Sequence, residues 1–252
     1  MSPGSSVDLN ADVGEGCGFD EELVPLVSSV NISCGAHAGD MATMRRAVEL
    51  ALRSGAAIGA HPGFADREHF GRRELPVSAR EAASLVIGQT KVLVRVAQGF
   101  GARVGHVKLH GALYNLVSRD PALSKAVVAA LLEDGRQSGA SWTLIALSGS
   151  ALAAVAAEAG LRVLREAFAD RAYMRDGTLA PRSEPGGVIQ DEGVAASQAL
   201  GIARDGVART IDGGGIRIQA ETLCIHGDSP GAAGFARRIR RELAVAGIVV
   251  GR

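Results

Sequence analysis

The sequence predicts one α/β domain over residues 1–252, built as a closed or nearly closed (β/α) barrel of about seven parallel strands. The chain is 47% hydrophobic over its 252 residues, which is enough to bury one large core. Short apolar runs alternate with amphipathic stretches, and this alternation predicts parallel strands covered by helices. An open doubly wound sheet is the less favoured alternative, because it would usually be shorter.

Seven short runs are predicted strands because each is apolar and is bounded by glycine or polar residues. In chain order they are VDLNAD (7–12), SVNISC (29–34), AAIGAH (56–61), GHVKLH (105–110), WTLIAL (142–147), LRVLRE (161–166) and TLCIHG (222–227). GIVV at 247–250 is a candidate eighth strand, although it is short and terminal. Trp142 opens its strand and is expected in the core.

Amphipathic stretches between these runs are predicted helices. They lie near 40–54, 78–99, 121–138, 150–159, 190–204 and 231–245. Asp40 is the expected N-cap of the first of them. Two segments depart from the alternation. The long charged loop 63–76 is of a kind that is usually functional or mobile, and VARTIDGGGIRIQA (207–220) is predicted to form a hairpin outside the barrel.

The amino-acid composition bears on which partners the protein binds and on whether its cysteines are reduced. Lys plus Arg and Asp plus Glu number 27 each, so the chain lacks the basic footprint of a protein that binds nucleic acid or a membrane surface. A small neutral or zwitterionic partner suits this balance better. Cys17, Cys34 and Cys224 show no C-x-x-C spacing, which favours reduced thiols. MSPGSS has no signal-peptide pattern and no apolar run reaches the ~18 residues of a membrane span, so we expect a soluble cytoplasmic protein.

Ionisable residues cluster at the carboxyl ends of the predicted strands. They are His37, His61, His110, His226, Asp12, Glu15, Glu166, Asp170 and Asp228. In a parallel barrel these ends share one rim, and that rim carries the active site. A single polar residue there is more often a helix cap or a solvated loop residue. Four of the six histidines at equivalent positions nevertheless indicate a functional site.

Strand alternation sends Lys108 and His110 to the same side of their strand. If that side is the barrel interior, the lysine can hold a carboxylate or phosphate, or act as a base when buried. Asp8, Asn10 and Asp12 likewise share a side of the first strand, which an apolar core would not select. The barrel interior is therefore predicted to carry polar groups toward its rim.

Several local patterns keep both a structural and a functional interpretation. Asp12 and Glu15 in ADVGEGCG suit acid–base catalysis or a hard cation, and the glycine run does not match a Walker phosphate loop. SGS at 148–150 either caps a helix or offers amides to an anion. Cys34 is more simply a buried thiol than a nucleophile. Tyr114 is expected to pack in the core or to serve as a lid residue.

The strand-end motifs, taken in order, resemble those of a known family. DLNADVGEG, VSSVNISCGAHAGD, IGAHPGFADREHFGRREL, HVKLHGALYN, FADRAY, PRS and CIHGD are similar to the successive motifs of the LamB/YcsF family, from about residue 7 to about residue 251. Leu109 stands where the family pattern V-K-P-H-G has proline, and Ala172 stands where glycine is common in A-D-R-G-Y. Neither departure removes an ionisable group.

The resemblance implies both a fold and an activity. The fold would be an irregular barrel related to the polysaccharide-deacetylase superfamily. The activity would be that of the A component of an ATP-dependent 5-oxoprolinase, which opens 5-oxo-L-proline to L-glutamate together with subunits B and C. ATP, carried with magnesium, is the implied cofactor. An intrinsic metal is left open.

The strand-end pattern and the family motifs together give the predicted site. We predict catalytic roles for Asp12, Glu15, His37, His61, Lys108 and His110, and substrate binding by Asn10, Asn31, Glu166, Asp170, Arg171, Tyr173, Arg182, His226 and Asp228. Lys108 would hold a carboxylate or phosphoryl oxygen, and Asp12 or Glu15 would act as base toward water. The histidines would orient the lactam or transfer protons.

Two rival hypotheses remain open. The chain could be a metal-dependent amidohydrolase or deacetylase that needs no ATP, with Asp12, His37 and His61 as ligands. It could also be a non-catalytic polypeptide that presents substrate to a partner. Because the chain has no Walker loop, the loop 63–76 and the hairpin 207–220 are expected to close over the cleft or to meet a partner.

Overall fold

The structure is a computed structural model that describes residues 6–228 and 231–251. Its strands are β1 (Ser6–Val13), β2 (Ser29–Ser33), β3 (Ala57–His61), β4 (Val104–Lys108), β5 (Thr143–Leu147), β6 (Arg162–Phe168), β7 (Val207–Arg209), β8 (Gly215–Arg217), β9 (Thr222–Ile225) and β10 (Val249–Val250). Its helices are α1 (Asp20–Leu23), α2 (Met41–Ser54), α3 (Ala79–Gln98), α4 (Gly111–Arg119), α5 (Pro121–Ser138), α6 (Ala151–Glu158), α7 (Glu192–Leu200), which continues as a π-helical turn (Gly201–Asp205), and α8 (Ala232–Val245).

Seven parallel strands close into a barrel in the order β1-β2-β3-β4-β5-β6-β9, and β9 returns to pair with β1. At this closing seam Leu9 lies opposite Leu223 and Ala11 lies opposite Ile225. Each of the seven predicted runs forms one barrel strand. The predicted (β/α) barrel is therefore confirmed.

The terminal strand and the hairpin lie outside the ring. β10 pairs with the beginning of β1, where Ser6 is opposite Val249, so it extends the sheet at the amino-terminal end of the barrel. β7 and β8 pair antiparallel between β6 and β9, which confirms the predicted hairpin. Neither element interrupts closure between β9 and β1.

The six predicted helices are present, with small differences at their ends. Asp40 caps α2 as predicted, since its carboxylate accepts from the N–H groups of Ala42 and Thr43. Two helices were not predicted. α1 is a single turn, and α4 begins immediately after His110 because β4 ends at Lys108, two residues earlier than the predicted strand.

The interior of the barrel is polar, whereas the surrounding layer is apolar. In β1 the buried Asp8, Asn10 and Asp12 alternate with the buried Leu9 and Ala11. The apolar side packs beneath the helices as part of one continuous core. The prediction that polar side chains share one face of the first strand is confirmed.

No helix in residues 6–228 or 231–251 is long and apolar enough to cross a membrane.

Trp142 is buried as expected, and its indole N–H donates to Asp134 Oδ2 at 3.0 Å. The interpretation of MSPGSS concerns a segment whose first five residues lie outside the described ranges.

Candidate functional site

A cleft of about 1780 Å³ opens at the carboxyl ends of the barrel strands. Asp12, His61, Lys108 and His110 line it from β1, β3 and β4, and His226 lines it from the end of β9. Its walls come from the loop after β6, the hairpin and the start of α6. The predicted rim is therefore a concave site, as expected for a parallel barrel.

Lys108 lies at the bottom of this cleft and is surrounded by acceptors. Its Nζ donates to Asp12 Oδ1 at 2.9 Å and to Asn10 Oδ1 at 3.2 Å, and it lies 2.8 Å from Glu166 Oε1. Cys224 Sγ is a fourth neighbour at 2.9 Å. Burial opposes the charged form, but the two carboxylates raise the pKa of Lys108 well above its usual value. The ammonium would have to exchange a partner to bind a substrate oxygen, so its predicted role in direct binding stays a prediction.

Two asparagines support the carboxylates from inside the barrel. Asn31 Nδ2 donates to Asp12 Oδ1 at 2.9 Å and to Asn10 Oδ1 at 2.7 Å. Asn10 Nδ2 in turn donates to Glu166 Oε1 at 3.0 Å and to Thr222 Oγ1 at 2.7 Å. Both asparagines are fully buried and neither lines the cleft. Their geometry supports a positioning role, in place of the predicted contact with substrate.

Asp12 and Glu15 are driven toward opposite protonation states. Burial alone would raise the pKa of Asp12, but the charges of His61 and Lys108 hold that pKa well below its usual range. Burial and the negative charge of Asp12 raise the pKa of Glu15 well above its usual value. Asp12 is therefore the ionised carboxylate of the pair, and a divergence of this kind is how acid and base roles are separated.

Three histidines pack together beside these carboxylates. His61 Nε2 lies 2.9 Å from His110 Nδ1 and 3.3 Å from Asp12 Oδ2. The rings of His37 and His110 are stacked, with centroids 3.8 Å apart. Burial lowers the pKa of His37 to about 3 and that of His110 well below its usual value, and His61 adds to both shifts. His37 and His110 are therefore neutral near pH 7.

Cationic side chains surround the mouth of the cleft. Arg72, Arg171 and Arg182 line it, and Arg72 forms an ion pair with Asp228. Burial and the charge of Arg182 lower the pKa of Arg171 to about 10. Arg171 donates to the carbonyls of Gly187 and Ala180, which fixes its position. Guanidinium groups at the mouth of a cleft suit an anionic ligand.

Two tyrosines lie near the site, and only one of them lines the cleft. Tyr114, from α4, lines the cleft and donates its hydroxyl to Glu166 Oε2 at 2.7 Å. Tyr173 was predicted to bind substrate, but it is fully buried, and its hydroxyl accepts from the N–H of Phe168 at 2.8 Å. The structure therefore differs from the prediction for Tyr173, which anchors the end of β6.

The chain is similar to a known protein family and to solved structures. The family model for the LamB/YcsF family matches residues 7–252. The chain belongs to the LamB/YcsF family. A lactam utilization protein from Thermus thermophilus is 43% identical, with a TM-score of 0.88, over 98% of this chain and 99% of that chain. A second solved structure is a mutant of BA3943, described as a CE4 family pseudoenzyme with restored enzymatic activity. It is 10% identical, with a TM-score of 0.51, over 100% of this chain and 66% of that chain. This similarity concerns the fold alone.

In this LamB/YcsF chain the predicted site residues fall into two groups. Those that line the cleft are Asp12, His61, Lys108, His110, Arg171, Arg182 and His226. Those that do not line it are Asn10, Glu15, Asn31, His37, Glu166, Asp170, Tyr173 and Asp228. Asp170 accepts from His226 Nδ1 at 2.7 Å and so orients that ring toward the cleft. Leu109, which stands at the proline position of the pattern V-K-P-H-G, also lines the cleft and is buried. Leucine and proline are both apolar side chains, so this difference removes no polar group from the site.

The structure gives the surroundings of the SGS segment and of Cys34, for which the sequence left two interpretations open. Ser150 caps α6 by accepting from the N–H of Ala153, although Ser148, Gly149 and Ser150 all line the cleft. Burial raises the pKa of Cys34 to about 12, which argues against a thiolate nucleophile. Sequence reasoning missed His106, whose Nε2 lies 3.0 Å from Asn31 Oδ1, although it shares a strand face with Lys108. The same alternation could have identified it.

Proposed function

We propose that this chain is the A component of an ATP-dependent 5-oxoprolinase and opens the ring of 5-oxo-L-proline to give L-glutamate. The similarity to a lactam utilization protein over the full length of both chains supports a lactam as the substrate class. The observation that carries the proposal is the buried Lys108 between Asp12 and Glu166 at the bottom of a cleft with a cationic mouth.

Asp12 is the better candidate for the base that activates water. It lines the cleft, it is the ionised member of the carboxylate pair, and His61 lies 3.3 Å from its free oxygen. Ring opening breaks the lactam C–N bond, while water supplies a hydroxyl to the carbonyl carbon and a proton to the leaving nitrogen. His61 and His110 are placed beside Asp12 to pass that proton.

The mouth of the cleft supports recognition of a small anion. The carboxylate of 5-oxoproline requires a cationic partner, and Lys108 has its donors occupied inside the barrel. Arg171 and Arg182 line the cleft and are therefore better placed for that contact. The lactam ring would then extend toward Asp12.

The demand for ATP follows from the chemistry of the amide. A five-membered lactam is resonance-stabilised, and phosphorylation of its oxygen by ATP would activate the carbonyl carbon toward water. Cleavage of the C–N bond would then leave an acyl phosphate, and a second water would release phosphate from it to give glutamate. This chain has no Walker loop, and the carboxylates beside its glycine-rich segment would repel a triphosphate unless magnesium intervened. We therefore propose that subunits B and C complete the nucleotide chemistry.

An assay of the assembled enzyme tests this proposal. The purified chain, alone and with subunits B and C, is incubated with 5-oxoproline and MgATP, and both glutamate and phosphate are measured. We expect no appreciable ring opening by the chain alone and stoichiometric release of both products by the complete set. Turnover by the chain alone would contradict partner dependence, and no turnover by the complete set would contradict the activity.

Matched variants connect the activity to the site. His61→Ala in the assembled enzyme should reduce turnover by at least about 100-fold, as loss of a proton-transfer group does. Lys125→Met, at an exposed position on α5, should leave it unchanged. Hydrolysis of 5-oxoproline that persists without ATP would instead favour the metal-dependent amidohydrolase, for which the buried histidine and carboxylate cluster is the supporting observation.

A further inference from the structure

Four ionisable side chains meet beside the bottom of the cleft, at or just after the carboxyl ends of four successive barrel strands. Glu15, His37, His61 and His110 each offer one donor atom, and these atoms lie within 4.8 Å of one another. Their exposures are 8%, 1%, 1% and 4%. Since the four come from separate parts of the chain, the closure of the barrel brings them together.

Backbone carbonyls determine which nitrogen of two of these rings carries a proton. His61 Nδ1 lies 2.9 Å from the carbonyl of Lys108, and His110 Nε2 lies 2.9 Å from the carbonyl of Phe70. A carbonyl oxygen only accepts, so we assign a hydrogen to each of these nitrogens. In the neutral rings the lone pairs are then on His61 Nε2 and His110 Nδ1.

Those two lone pairs face each other at 2.9 Å. Two acceptors at that distance require a positive charge between them, either a shared proton or a cation. Glu15 Oε1 lies 3.5 Å from His110 Nδ1, and Asp12 Oδ2 lies 3.3 Å from His61 Nε2, so two carboxyl groups face the same region. Ligands held at about 2.1 Å from one ion lie roughly 3–3.4 Å apart, which is close to these distances.

His37 is placed differently from the other three. Its ring is stacked on that of His110, with 3° between the planes, so the two histidines contact each other through their ring faces. Its Nε2 lies 3.2 Å from Glu15 Oε1, within hydrogen-bond distance. A histidine that holds a carboxylate in this way orients a metal ligand without being one.

We propose that Glu15 Oε1, His61 Nε2 and His110 Nδ1 form a binding site for one divalent transition-metal ion, and that His37 positions Glu15. Two imidazoles and one carboxylate are a donor set that zinc or iron(II) accepts with positions left open. The set differs from the rival set of Asp12, His37 and His61. A bound ion would supply a Lewis acid beside the cleft, and His61 and His110 would then hold the ion while Asp12 takes the proton from water. The proposal does not depend on ATP-dependent activity.

Metal binding by the isolated chain provides the test. Protein freed of any histidine tag and stripped with chelator is titrated with Co²⁺, which reports coordination through its visible absorption. We expect one Co²⁺ per chain, displaced by Zn²⁺. His61→Asn and His110→Asn should each weaken binding by more than about 100-fold, and His37→Gln by about 10- to 100-fold. His69→Asn, at a partly exposed histidine outside the cluster, should bind like the wild type.

Several outcomes would overturn the site. Folded wild-type chain that takes up no stoichiometric Co²⁺ would show that a proton, and not a cation, joins His61 to His110. Unchanged affinity in both histidine variants would also overturn it. If a variant does not fold, X-ray absorption of the wild-type cobalt complex decides, because two imidazoles must be present. Ring opening with the partners by a chain that binds no metal would refute this inference and leave the proposed function intact.

Discussion

Asp12 and Glu15 are three residues apart, and their surroundings give them opposite chemistry. Asp12 lies within reach of Lys108 and His61, so its pKa falls. Glu15 is buried without an adjacent lysine and lies near the charge of Asp12, so its pKa rises. The sequence identified the pair as acid–base candidates. It could not assign the roles, because these depend on side chains from β3 and β4.

Replacement of Lys108 tests the charge balance inside the barrel. Lys108→Met leaves Asp12 and Glu166 buried without their cation, so we expect the free energy of unfolding to fall by about 3–5 kcal/mol. Urea denaturation measures the change. Lys125→Met, at an exposed position, should change it by less than about 0.5 kcal/mol. Equal stability of the two variants would refute the assigned role of Lys108.

Asp170 gives a prediction with a defined pH dependence. Burial would raise its pKa, but His226 lowers it below the unfolded value of about 3.9, so ionised Asp170 stabilises the fold above that pH. The contribution is lost as the pH falls through the folded-state pKa. Asp170→Asn should therefore reduce the free energy of unfolding by about 1–3 kcal/mol near pH 6, and the difference should shrink as the pH falls below the unfolded value of about 3.9.

Urea denaturation across this pH range checks the prediction. Glu158→Gln, at an exposed position on α6, serves as the control and should show a small difference with no such trend. A deficit in Asp170→Asn that grows at acid pH would contradict the assigned sign.

Strand alternation identified Asp12 and Lys108 as site residues because their neighbours in sequence are apolar and face the other way. It could not separate residues that line the cleft from those that support it. Tyr173 and Asn31 belong to strand-end motifs, yet both are fully buried. Whether a strand-end side chain reaches solvent depends on the hairpin and on the loop after β6, which lie elsewhere in the chain.

At the scale of elements, every barrel strand was predictable and α4 was not. In the segment GHVKLHGALYN no Ser, Thr, Asp or Asn precedes the helix, and His110 at the N-cap makes no side-chain capping bond, so the sequence carries no helix-start signal there. In the structure Gly111, with φ of 56°, allows the chain to turn directly into α4. Tyr114 reaches Glu166 only because of that turn, so its role could not be predicted.

Gly59 on β3 provides a test of packing inside the barrel. A Cβ atom at this position would lie 2.0 Å from Nε2 of His106, the ring nitrogen that contacts Asn31. Gly59→Ala must therefore displace His106, and we expect a loss of about 1–3 kcal/mol in the free energy of unfolding. Gly105→Ala on β4, where no heavy atom lies within 4 Å of the added carbon, is the matched control. Equal effects of the two changes would exclude steric crowding as the cause.

At the scale of the molecule, one polar network joins most of the barrel. Asn10 on β1 contacts Asn31 on β2, Lys108 on β4, Glu166 on β6 and Thr222 on β9. Removal of any one of these strands would leave buried polar groups without partners, which is costly. The barrel should therefore resist partial unfolding.

This network predicts one cooperative transition in urea. Chains of this size often populate intermediates, but here the fluorescence of Trp142 on the α5–β5 side and the far-ultraviolet circular dichroism should change together. The two midpoints and slopes are compared in one titration series. Clearly separated midpoints would show that part of the barrel is stable without the rest.

The seam between β1 and β9 also has a consequence for synthesis on the ribosome. β1 is the first strand to emerge, and Asp8 on it accepts from Ser29 and from Thr222, which belongs to the last strand of the ring. Until that distant segment leaves the exit tunnel, the polar side chains of β1 must remain hydrated. The barrel is therefore expected to stay open until β9 has been synthesised.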